Sequence, residues 1–126
     1  MTGTSRLILG GSTEIDAERL DCLVEEMGRL AAERMIGRAI EEIDWRLMDA
    51  RIALRSGDRA GLRNAMRHMV PVANTVGLPD VSRVAGDVAG AAASGDSIAL
   101  SATFARLERL CDGVVPAIGE AWAAQS

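Results

Sequence analysis

Aromatic residues are nearly missing from this chain. Trp45, Phe104 and Trp122 are the whole set, and there is no tyrosine. Cores poor in aromatics and rich in Ala and Leu point to helices, because Ala and Leu have the best helix propensities. A basic excess is also missing: 14 Lys and Arg stand against 18 Asp and Glu, a net charge of -4. That balance argues against a nucleic-acid binder, which needs a basic face. No apolar run approaches the roughly 20 residues of a membrane span, and Leu7-Ile8-Leu9 is too short for a signal-peptide core. Cys22 and Cys111 are far apart and form no Cys-x-x-Cys pair, which excludes the common zinc and redox motifs. Both lie in apolar helical patterns, where a buried, reduced thiol is expected. Gly10-Gly11 is followed by no Gly-Lys-Ser/Thr, so it is not a phosphate loop. A cytoplasmic protein is the simplest expectation.

What is present is helical periodicity. At 126 residues, 48% of them hydrophobic, the chain fits one domain with a sizeable core. Residues 1 to 14 read as a flexible N-terminal segment, with a turn at Gly10-Gly11-Ser12-Thr13. Residues 15 to 126 read as one helical domain. A short first helix covers about Ile15 to Met27, with Leu20, Leu23, Val24 and Met27 at three- and four-residue steps. Gly28 breaks it. A long second helix covers about Arg29 to Arg55. Its apolar positions are Leu30, Met35, Ile36, Ile40, Ile43, Leu47, Ala50, Ile52 and Leu54. Its wet face includes Glu41, Glu42, Asp44, Arg46, Asp49 and Arg51. Ser56-Gly57-Asp58 closes it, glycine as a left-handed cap and Asp58 as N-cap of the third helix.

The third helix covers about Arg59 to Val76, with Gly77 as its C-cap. A fourth covers about Asp80 to Ala93, up to Ser94-Gly95-Asp96. A fifth covers about Ser97 to Trp122, with a bend expected at Gly113 or Pro116. No strand is expected. Short connections make neighbouring helices antiparallel. The expected fold is therefore all-α: an antiparallel four-helix bundle with a short extra N-terminal helix.

The only histidine, His68, lies midway along the third helix. With Leu62 at 0° and about 100° per residue, Met66, Met69, Val70, Ala73 and Val76 fall within about 80° of the core direction. Asn64, Pro71 and Thr75 fall near the opposite pole. Arg67 falls at about 140° and His68 at about 240°, on opposite sides of the outward face. His68 is thus a candidate accessible nucleophile, since imidazole is the side chain that ordinarily titrates near cellular pH. Arg63 and Arg67, four residues apart, are candidate phosphate ligands, because guanidinium binds phosphate in a bidentate way.

The order of elements resembles the histidine-containing phosphotransfer (HPt) domain. The likeness spans roughly residues 15 to 124: a short helix, the break at Gly28, a long helix, Gly57-Asp58, the histidine helix, Gly77-Leu78, then two helices separated by Gly95-Asp96. It implies a module of a bacterial-type two-component phosphorelay, with a phosphohistidine and a receiver domain or histidine kinase as partner. At most such a module is a phosphotransfer intermediate without turnover. It binds no cofactor; magnesium belongs to the partner receiver. The family carries His-x-x-Lys-Gly on this helix. Anchored on Gly77, or counted from Gly57-Asp58, the family's histidine position falls on Arg67, its lysine on Val70 and its glycine on Pro71. Pro71 lacks the N–H that the Arg67 carbonyl would accept, so a kink is expected there. His68 then acts in one of two ways. Either a widening at Pro71 rotates it into place, or it works from the flank beside Arg63 or Arg67, with Asn64 and Pro71 in the partner contact. The alternative is a degenerate HPt-like domain without a phosphoacceptor, serving as a binding, regulatory or dimerisation module.

Other chemistry finds little support. Glu25-Glu26 and Glu41-Glu42 are carboxylate pairs, yet no Glu stands three residues before His68, as a di-metal bundle requires. No metal site is expected. A simple bundle offers no obvious oxyanion hole for Ser-His-Asp catalysis. Met27, Met35, Met48, Met66 and Met69 read mainly as core filling, with a Met-lined docking patch as the functional version. Ala85, Val88, Ala91 and Ala92 in the fourth helix permit close helix approach, within the chain or between two copies. Nothing else indicates a dimer.

Overall fold

A computed structural model describes residues 6–9 and 13–125. The described residues are all-α apart from one two-stranded hairpin. The elements run β1 (Arg6–Leu9), β2 (Thr13–Asp16), α1 (Ala17–Met27), α2 (Arg29–Ser56), α3 (Arg59–Thr75), α4 (Pro79–Ser94), α5 (Ser97–Asp112) and α6 (Val114–Ala124). No helix among the described residues is long and apolar enough to cross a membrane.

Local chemistry sets most of these boundaries. Asp16, Asp58 and Asp96 begin α1, α3 and α5, each side chain accepting a backbone N–H of the first turn. Such a cap satisfies one of the donors that have no partner within the helix. Gly57 and Gly95 end α2 and α4 in the left-handed conformation. The helix expected from Ser97 to Trp122 is two helices broken at Gly113. Pro116 causes no break, because it lies in the first turn of α6, where its missing N–H costs no helical hydrogen bond.

The core is a continuous set of aliphatic side chains. α3 packs against both α2 and α4, and α4 also packs against α5. Leu62, Met66, Met69 and Ala73 of α3 meet Ile36, Ile43 and Leu47 of α2 and Val81, Val84 and Val88 of α4 in one buried cluster. The small residues Ala85, Val88, Ala91 and Ala92 of α4 are all buried, so they serve packing inside the chain.

Several expectations need correction. The leading segment to residue 14, read as flexible and strandless, contains β1 and part of β2. They pair antiparallel with Leu7 opposite Ile15 and Leu9 opposite Thr13. The expected turn at residues 10–13 lies outside the described residues except for Thr13, which begins β2. Thr13 and Ile15 are buried while Glu14 and Asp16 are half-buried, the alternation of a half-covered strand. Four residues carry too little of that period to stand out from a loop, and tertiary bonds supply the rest. Thr13 Oγ1 donates to the Leu110 carbonyl at 2.7 Å, and the Asp16 N–H donates to the Gly77 carbonyl at 2.7 Å. Gly77 itself has φ +77°, and a Cβ there would lie 2.9 Å from the Asp16 carbonyl oxygen. Only glycine meets both demands.

In α2, Leu30 and Ile52 are exposed, not core; Ala32, Ala39 and Ala53 occupy buried positions instead. Cys22, expected to be buried, is exposed, whereas Cys111 is buried.

Candidate functional site beside His68

The buried stripe of α3 decides where its polar residues go. With Leu62, Met66, Met69 and Ala73 turned inward, Asn64, Arg67, His68 and Pro71 are exposed and Arg63 is half-buried. Helical spacing sets Asn64 four residues before His68, on the same face. The His68 Nδ1 lies 2.8 Å from the Asn64 carbonyl oxygen. A carbonyl only accepts, so a neutral ring in this contact carries its proton on Nδ1 and its lone pair on Nε2. Nε2 is the nitrogen left for chemistry.

The groove between α2 and α3 runs past this ring. At one end, Arg46, Asp49, Ile52, Asp58, Gly61 and Asn64 line a depression of about 260 Å³. At the other, Arg38, Ala39, Glu42, Val72 and Thr75 line one of about 200 Å³. Residues rising along α2 thus meet residues falling along α3, and the two helices run in opposite directions. By helical spacing His68 falls between these registers, on the same shoulder as Asn64 and Thr75. Arg46 donates through Nε and Nη2 to the Glu42 Oε2, both at 3.3 Å.

Of the residues singled out in sequence, the structure joins Asn64 and His68. Arg63 and Arg67 are not brought to them. α3 turns about 100° per residue, so both arginines project on the flank away from α2, and neither lines the groove. α3 is α-helical through Pro71, without the local widening that would swing His68 round. Pro71 is exposed, and its carbonyl accepts from Thr75 Oγ1 at 2.9 Å. Arg46 lines the depression shared with Asn64, and Arg38 lines the one shared with Thr75. Sequence reading placed Arg46 on the wet face of α2; its four-residue spacing from Glu42 hints at the pair, but nothing local tells which shoulder of α2 meets α3.

Elsewhere the molecule offers little reactive chemistry. Burial pushes the Cys111 thiol up to about 12, with Asp44 and Asp112 adding to the effect and Arg51 opposing it. It stays protonated at neutral pH and is a poor nucleophile. Among the described residues, no group of three or more His, Cys, Asp or Glu is placed to hold a metal. No buried side-chain polar atom among them lacks a hydrogen-bond partner. The depressions along α2 hold about 200 to 290 Å³. They are open and fall short of the roughly 300–1,000 Å³ that enclose a small ligand.

No family model, curated protein or solved structure matches the chain.

Proposed function

We propose that this chain is an HPt-like module of a bacterial-type two-component phosphorelay, with helices α2 to α5 as its antiparallel four-helix bundle and α1 as the short leading helix. A receiver domain or histidine kinase docks over the α2/α3 groove, and His68 Nε2 accepts the phosphoryl group. One observation carries the reading: the chain's single histidine is exposed at mid-helix, with Nδ1 held by the Asn64 carbonyl and Nε2 outside that bond.

The chemistry follows from that tautomer. The Nε2 lone pair attacks phosphorus of an aspartyl phosphate on the receiver. A P–N bond forms as the P–O bond to the carboxylate breaks, and the carboxylate leaves with that electron pair. The ring becomes positive as it gives up its lone pair. The Nδ1–H bond to the Asn64 carbonyl then becomes charge-assisted, and so stronger, as the reaction proceeds. Phosphoryl transfer asks for little beyond in-line positioning and charge balance. Arg46, which lines the depression shared with Asn64, must loosen its bond to Glu42 to reach phosphate oxygens. Magnesium, where it takes part, sits with the partner.

A second reading rests on that same ion pair. Arg46, which shares a depression with Asn64, is already engaged by a carboxylate, and Arg63 and Arg67 fall on the other side of the α3 wheel. On this reading the module binds its partner without carrying phosphate. The test is transfer from a panel of phosphorylated receivers to wild type and His68→Gln. Acid-labile, alkali-stable label on wild type alone supports the acceptor role. No label, from receivers that do label an ordinary HPt protein, sinks it and leaves the binding module.

A further inference from the structure

The outer face of α2 carries a row of residues that the core does not use. Glu41, Trp45, Met48, Ile52 and Arg55 follow one another at steps of four, three, four and three residues. That is the spacing of one straight seam along a helix. The row lies opposite the buried Ile43, Leu47 and Ala50. Trp45 is 63% exposed, Met48 56% and Ile52 55%. Three neighbouring large apolar side chains left more than half in water mark a surface meant to be covered.

The charges at the ends of the row identify what covers it. Glu41 stands at one end and Arg55 at the other, both exposed. Neither joins any of the ion pairs of the described residues. Asp44 lies beside the acidic end; Arg51, beside the basic end, is already paired with Glu108 at 2.7 Å, so Arg55 carries the free positive charge there. Met48 is the midpoint, seven residues from Glu41 and seven from Arg55. A two-fold axis through Met48, with the two helices antiparallel, therefore sets Glu41 of each copy against Arg55 of the other. It also sets Trp45 beside the partner's Ile52 and packs the two Met48 side chains together. A parallel pairing would oppose Glu41 to Glu41 and Arg55 to Arg55.

We infer that the outer face of α2 is a homodimer surface on which a second copy of this chain docks antiparallel, with Met48 on the axis. The inference does not rest on phosphotransfer at His68, although Ile52 also lines the α2/α3 groove over which that partner would dock. Such a dimer is self-complementary and closed, as two-fold contacts are.

The test is sedimentation equilibrium of the full chain from about 1 µM to about 1 mM, the range in which modest interfaces report. Wild type is expected to pass from monomer to dimer across that range. Met48→Glu places two like charges on the axis and is expected to stay monomeric. Glu41→Arg alone is expected to weaken the dimer about tenfold. Adding Arg55→Glu to it is expected to restore wild-type association, because the exchange preserves the pairing. All these positions are exposed, and circular dichroism checks that each variant folds. A second measurement uses a Cys22→Ser background: Met48→Cys should cross-link to its own mate on oxidation, while Ile98→Cys, at a site 84% exposed on another helix, should not. A wild type monomeric throughout the range would overturn the proposal. So would a dimer untouched by Met48→Glu, or a double exchange no better than the single one.

Discussion

Two parts of α3, its C-terminus and its middle, treat polar groups in opposite ways. At and near its C-terminus, polar groups are committed to tertiary bonds. The Asp16 N–H holds the Gly77 carbonyl, Arg19 Nε donates to the Thr75 carbonyl at 2.9 Å, and Thr13 ties the hairpin to the Leu110 carbonyl. At mid-helix, His68 uses one ring nitrogen on Asn64 and keeps the other. The first region spends its hydrogen bonds on joining the hairpin and α1 to the turn between α3 and α4. The second retains an unspent acceptor on a rigid helix. A polar side chain is available for chemistry only to the extent that folding has not already used it, and position on the wheel alone does not show this.

The contrast can be broken at its support first. Met66 is fully buried on the stripe that orients α3. Met66→Ala should lower stability by about 2–5 kcal/mol, seen as an earlier midpoint in urea, and should loosen both parts together. Gly77→Ala acts on the committed part alone. A side chain at φ +77° that also meets the Asp16 carbonyl should cost about 2–3 kcal/mol. Hydrogen exchange should report early opening of β2 and α1, with Asn64 and His68 amides unaffected. Thr13→Val removes one of two donors to the Leu110 carbonyl, which keeps the Gly113 N–H at 3.1 Å, at roughly 1 kcal/mol; thermal melts would measure it. His68→Gln, at the uncommitted part, should change stability by less than about 0.5 kcal/mol while abolishing phosphoryl label. A large loss of stability there would show that the ring is structural after all.

Alkali gives a separate test of the buried interior. The Cys111 thiol titrates near 12 when folded, against 9.0 for an ordinary thiol. Between those values the folded chain keeps a proton that the unfolded chain has lost. Its contribution is complete below pH 9 and fades as pH rises toward 12. Cys111→Ala should flatten that part of the stability profile in alkaline denaturation.

How much of this could be read in advance depends on how local each feature is. The ends of α2, α3 and α4 were legible at Ser56-Gly57-Asp58 and Ser94-Gly95-Asp96, because a cap and a left-handed glycine act within one turn. The α3 wheel was legible too, since its apolar residues fall in one arc. α2 was less so. Its apolar residues surround the helix, and alanines at 32, 39 and 53 outrank Leu30 and Ile52 for burial, because the neighbours come close there. The candidate site was half legible: Asn64 and His68 share a face by spacing, but Arg46 and Glu42 reach it only through packing of a second helix.

By itself, the order of residues determined that this chain is helical, where most helices begin and end, and that its single histidine avoids the core. Those outcomes follow from propensities, caps and a repeat that act over a few residues. Tertiary structure alone decided that the leading segment pairs as a hairpin, that α2 lies on the Asn64 side of α3, and that Trp45, Met48 and Ile52 remain outside. Each depends on which surfaces meet across long stretches of chain, where burial of whole faces outweighs the preference of any one residue.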